Sequence, residues 1–149
     1  MTGLTAIDIL ICPDKLALER AKAENAKFRE NFPKGFALDP QHMPHMTMLQ
    51  RYVRTACLDD VFAAVERVIR SHDLSKLELR AVKFGHLPVA ALPGVGLAAM
   101  VVAPSLKVLA VQTTLIDAVA PYLEPGGTAT AYATTPQEPD INRDTLQLC

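Results

Sequence analysis

The stretch MPHMTMLQRYV, Met43 to Val53, decides how the rest of the chain is read. It is rich in residues that suit a pleated, half-buried surface, and Pro44 leads it in. In a strand successive side chains alternate faces, and residues two apart lie about 6.6 Å from one another along it. His45 and Thr47 therefore share one face, with Arg51 further along it. Met46, Met48 and Tyr52 take the other, which suits packing on helices. The His–Thr face is expected to look into a groove.

Outward from this strand the pattern alternates between strand and helix. TAIDILICP reads as a first strand, buried on both faces and ended by Pro13. The segment from Pro13 to Gly35 reads as a helix capped by Asp14, with Leu18, Ala21, Phe28 and Phe32 near one face. After the Met43–Val53 strand, LDDVFAAVERVIRSHD places Leu58, Val61, Phe62, Val65, Val68 and Ile69 at helical spacing. KLELRAVKFGHL alternates as a third strand, LPVAALPG reads as a loop, and VGLAAMVVAP as a fourth strand. Ser105 begins a third helix that finishes around Pro121. TATAYAT (128–134) is expected to be a further strand, and PQEPDINRDTLQLC a loop running into a helix start. The order β-α-β-α-β-β-α-β indicates an α+β domain with a largely antiparallel sheet and helices outside it.

Composition sets the outer limits. At 149 residues the chain is long enough for one domain with its own core. Half of it is apolar, 21% is charged, and the formal net charge is −1. That balance lacks the basic stripe of a non-specific nucleic-acid binder, yet leaves room for a local anion pocket. Cys12, Cys57 and Cys149 form neither a disulfide framework nor a CxxC pair, which points to a reducing, cytoplasmic setting. Cys12 beside Pro13 reads as a small buried hydrophobe. The N-terminus has no basic n-region and its apolar run is broken by Asp8, so no secretory signal is expected. No run of about 18 apolar residues is present, so no membrane partner is expected.

A histidine and a threonine on one strand face suit phosphoester chemistry. An imidazole can take or give a proton, and a hydroxyl can donate to a phosphate oxygen. Opening or closing a cyclic phosphate needs two such proton transfers, on opposite sides of phosphorus. One histidine supplies half of that.

PHMTMLQRYV resembles the first HxT motif of the two-histidine phosphoesterase superfamily, which includes 2′-5′ RNA ligases and RNA cyclic phosphodiesterases. IDILICPD, KGFALDPQHMPH and LIDAVAPYL add to the likeness, which covers nearly the whole chain. It implies an α+β fold of two lobes facing a cleft, the first over roughly 1–85 and an incomplete second over roughly 86–149. It implies His45 as acid or base and Thr47 as phosphate ligand, with Arg51 as a substrate-binding candidate. No metal and no organic cofactor are implied. The implied substrate is a 2′,3′-cyclic or 2′-5′ phosphodiester of a nucleotide or an RNA terminus.

The second HxT has no match in this sequence. His86, in FGHLPVA, is followed two residues on by Pro88, and it precedes the third helix where the second motif should follow it. The resemblance therefore implies a chain cut short near LQLC, with an open sheet edge through which a second copy could pair as a homodimer. Two alternatives stand beside catalysis: a catalytically impaired module that binds a nucleotide or a protein, and a truncated gene product. Several residues have plainer readings. His42, His45 and Cys57 lack the density of a metal site. Arg51 suits a solvated strand end, and His86 a structural role. Gly94 and Gly96 mark a turn, since the later glycine and the lysine of a P-loop are missing.

Overall fold

The Met43–Val53 stretch becomes strand β2 (Met46–Arg54) in the computed structural model, which describes residues 3–40, 42–88, 96–136 and 139–141. Its N-terminal half reads exposed, half-buried, exposed and buried from His45 to Met48, as alternation requires. Further on, Leu49, Tyr52 and Val53 are all buried, so both faces are covered there. β2 pairs antiparallel with β1 (Leu4–Ile11). The start of β1 meets the end of β2, where Thr55 N–H donates to the Gly3 carbonyl at 2.8 Å. The Thr5 and Thr55 hydroxyls bond at 2.9 Å in the same place.

The other elements are α1 (Lys15–Asn31), α2 (Leu58–Ser71), β3 (Leu79–Pro88), β4 (Gly96–Pro104) and α3 (Leu106–Val119). Among the described residues the protein is thus α+β, with three helices and two two-stranded antiparallel sheets. The chain divides into two units, Ile9–Met48 and the remainder, and the boundary falls within β1 and β2.

In the larger unit the core is the seam between α2 and α3, which pack on one another. Val61, Ala64 and Val68 of α2 and Val108, Val111, Leu115 and Val119 of α3 are buried, each set on one helical face. Ser105 starts α3 by accepting from the Val108 N–H at 3.4 Å. Two expected core residues of α2, Phe62 and Ile69, are 66% and 46% exposed. They sit at the margins of a stripe only wide enough for one partner helix. β3 and β4 pair along their whole length, from Leu79 opposite Pro104 to Pro88 opposite Gly96, with one irregularity between Ala81 and Lys83.

In the smaller unit α1 begins as expected, with Asp14 Oδ1 accepting from Ala17 N–H at 2.7 Å. The expected core face does not form. No residue of α1 is buried, and Phe28 and Phe32 are 49% and 56% exposed. A unit this short encloses little volume. β1 is likewise half-buried rather than buried on both faces, since a two-stranded sheet gives it only β2 as a neighbour. Cys12, expected inside, is exposed for the same reason.

The strand expected over 128–134 is a single 3₁₀ turn, Ala129–Ala131. Thr128 and Thr130 bond to each other through their hydroxyls at 2.9 Å, and Ala131 N–H donates to the Thr128 carbonyl. Such local bonds compete with a ladder. The segment is anchored instead by Tyr132, whose hydroxyl meets that of Tyr52 at 3.0 Å, with the rings edge to face at 5.9 Å. Just upstream, Leu123 bridges Val53, and Glu124 N–H donates to the Tyr52 carbonyl at 3.2 Å. Gly127 lies under the Tyr52 ring, where any Cβ would collide with it. The loop expected over LPVAALPG (87–94) starts later, since Leu87 and Pro88 extend β3, and Gly96, expected in a turn, opens β4 opposite Pro88; the rest of that loop, with Gly94, and the tail with Cys149 fall outside the described residues.

Candidate functional site

The route into His45 is fixed by α1. Asn25, a poor helix former in mid-helix, turns its amide to the loop that follows. Its Nδ2 donates to the Phe36 carbonyl at 2.9 Å, and its Oδ1 accepts from the Leu38 N–H at 3.1 Å. One side chain thus satisfies two loop groups and sets the loop's course. Next, His42 N–H donates to the Asp39 carbonyl at 3.1 Å.

Asp39 also binds His42 through its side chain. Its Oδ1 accepts from the His42 backbone N–H at 2.8 Å and from Nδ1 of the ring at 2.8 Å. A carboxylate can only accept, so the ring carries its proton on Nδ1, and Nε2 is its basic nitrogen when neutral. Phe36 lies edge-on to the same ring, with centroids 4.9 Å apart. The imidazole is therefore held on two sides.

His45 follows after Pro44, one residue before β2. Its Nδ1 lies 2.8 Å from the Met43 carbonyl and must donate to it, which again leaves Nε2 as the basic nitrogen. His45 and Thr47 are both exposed, with half-buried Met46 between them. His45 thus stands just outside the strand and Thr47 within it, both open to solvent.

The remaining sequence candidates lie in the larger unit. Arg51 is exposed, and its Nη1 donates to the neighbouring Gln50 carbonyl at 2.7 Å. His86 rests across the β3–β4 pair on Gly96, where a Cβ would collide with its ring. His72 closes the C-terminal end of α2, its Nδ1 within 3.0 Å of both the Val68 carbonyl and the Ser71 hydroxyl. Among the described residues no group of three or more His, Cys, Asp or Glu side chains is arranged to hold a metal ion.

The strand reading of the sequence contained His45 and Thr47 but passed over Asn25 and Asp39. Two signals for them were present: an asparagine inside an otherwise helical run, and an Asp-Pro turn start just before a histidine. Comparison with protein families, with curated protein sequences and with solved structures gives no significant match.

Proposed function

We propose that this protein acts on 2′,3′-cyclic or 2′-5′ phosphodiesters of nucleotides or RNA ends, as a phosphoesterase of the two-histidine kind. His45 transfers a proton and Thr47 holds a phosphate oxygen. The observation that carries this reading is that His45, just before β2, and Thr47, within it, are both exposed. The His45 imidazole is oriented by the Met43 carbonyl, so that Nε2 is the nitrogen that exchanges a proton. Two antiparallel strand pairs with three helices are compatible with the two-lobed fold of that group.

The reading needs no organic cofactor and no metal. Free, exposed Cys12 suits a reducing, cytoplasmic setting, and among the described residues no helix is long and apolar enough to cross a membrane.

The test is turnover of 2′,3′-cyclic nucleoside monophosphates and 2′-5′-linked dinucleotides by the whole chain. His45→Ala should remove turnover. Thr47→Val should raise KM with little change in kcat, because one phosphate donor is lost in ground and transition state alike. Binding of a nucleoside monophosphate without turnover would point to a nucleotide-binding module instead. Turnover that survives His45→Ala would end the catalytic assignment.

A further inference from the structure

We propose that α2 and α3 together present an apolar face to a second copy of this chain, which closes on it about a two-fold axis as a four-helix bundle. The contact lies on helices rather than on a sheet edge, and it does not depend on the phosphodiester reading above.

The direction of the two helices comes first. Val61, Ala64 and Val68 of α2 pack against Val108, Val111, Leu115 and Val119 of α3. The charge of Lys107, in the first turn of α3, acts on Asp73, just past the end of α2. Both helices have 14 residues. Packed in parallel, they would hold those two ends about 20 Å apart. They therefore run antiparallel.

Successive side chains stand about 100° apart round a helix. Phe62 and Ile69 thus lie about a third of a turn round α2 from its buried line. Leu109 and Ile116 lie about as far round α3, in the same sense. The sense of a helix reverses when it is viewed from its other end. Flanks of one sense on two facing antiparallel helices therefore come out on one side of the pair. Phe62, Ile69, Leu109 and Ile116 share that side, and they are 66%, 46%, 43% and 41% exposed. Half-buried Val65 and Gln112 lie between them, nearer the seam. The opposite flank is polar, with Asp60, Arg67, Lys107 and Thr114. α3 has one lysine and one aspartate in its 14 residues, a composition that suits a helix covered on more than one side.

The spacing points to the occupant. The exposed residues are seven apart on each helix, 62 to 69 and 109 to 116, a rise of about 10.5 Å. Antiparallel packing sets Ile69 level with Leu109, and Phe62 level with Ile116. A two-fold axis parallel to the helices lays each of these layers on its own copy. It also lays α2 against the partner's α3 in antiparallel fashion, the arrangement of neighbours in an up-down bundle. A face of two matched, uncharged layers complements itself in this way. Side chains of this size bring the contact between two copies to roughly 1,000 Å², near the lower limit for specific association. The dimer is accordingly a weak one.

The test is sedimentation equilibrium of the whole chain across the micromolar range. The wild type should pass from monomer to dimer and stop there. Phe62→Glu and Leu109→Glu, both at exposed positions, should each weaken association by about tenfold or more, with thermal stability retained. Arg67→Glu, on the polar flank, should leave it within about twofold. Phe62→Trp gives this tryptophan-free chain one indole, whose emission should move to shorter wavelength in step with the dimer mass. A monomer at every concentration would overturn the proposal, and an indole already shielded in that monomer would put another part of the chain on this face. A dimer that both glutamate variants leave intact would overturn it too, as would an indole unmoved by association or a mass that grows past two copies. Should a glutamate variant also lose thermal stability, the indole decides, since it reports on the same face in a folded chain.

Discussion

Asn25 shows how one side chain can set the course of a loop beyond its own helix. Its amide fills a donor and an acceptor role at once, to Phe36 and Leu38, so no apolar residue of the same size can replace it. Asn25→Leu should therefore leave the helix itself intact, since leucine is a better helix former. It should release the loop that carries Asp39, His42 and His45. The expected outcome is unchanged helical circular dichroism, with the His42 and His45 ring signals shifted in NMR spectra and lower turnover. Unmoved ring signals would show that the loop holds its course without Asn25. Gly96 offers a second test at this scale. A methyl there meets the His86 ring, so Gly96→Ala should displace the imidazole and destabilise the β3–β4 pair. The ring is exposed and can swing aside, so the cost should be small, below about 1 kcal/mol. Gly96→Ala combined with His86→Ala should recover much of that cost.

At the scale of elements, the helices divide by what they bury. α3 has four buried residues on one face, so truncating one opens a cavity in the seam with α2. Leu115→Ala should cost about 2–5 kcal/mol, measured by urea unfolding. α1 buries none and depends more on its ends. Asp14→Ala removes its N-cap and should cost that helix about 1 kcal/mol. The 3₁₀ turn Leu74–Lys76 after α2 carries an acid-sensitive link. The Asp73 carboxyl is held below its usual value, chiefly by the hydrogen bond from Lys76 and then by that from Ser75. A depressed carboxylate stabilises the fold above its unfolded-state value, about 3.9, and the gain is lost as pH falls through the folded value. Asp73→Asn should therefore flatten the stability curve in that acid window and leave its shape near neutrality unchanged. An identical acid limb in both proteins would remove this role.

For the whole molecule, burial sets an order of opening. Amides of α1 should exchange with solvent well before those of α3, because local opening of α1 exposes no buried side chain. Matched exchange rates across the two helices would contradict this.

The sequence was most legible where local signals agree. The bounds of α1, α2, α3, β2 and β4 follow from caps, prolines and periodicity, and the exposure of His45 and Thr47 follows from alternation. It was least legible where a residue's fate depends on a neighbour far along the chain. Phe28, Phe62 and Ile69 have helical spacing, but spacing cannot say how wide a partner face will be. TATAYAT reads as a strand until the Tyr52–Tyr132 contact and the threonine bonds are known. Around the candidate site, the loop before His45 takes its course from Asn25 and Asp39, whose contacts form only in three dimensions.

The tyrosine pair has an optical consequence. The chain has no tryptophan and three tyrosines, so no indole is present to drain or mask phenol emission. Two of the three, Tyr52 and Tyr132, share a hydroxyl bond between orthogonal rings, and Tyr52 is 7% exposed. Such a pair lends the protein a native colour of its own: a near-ultraviolet dichroic band from two phenols locked at a fixed angle. The band reports one joint, where the 121–132 segment is fastened to β2, without any label.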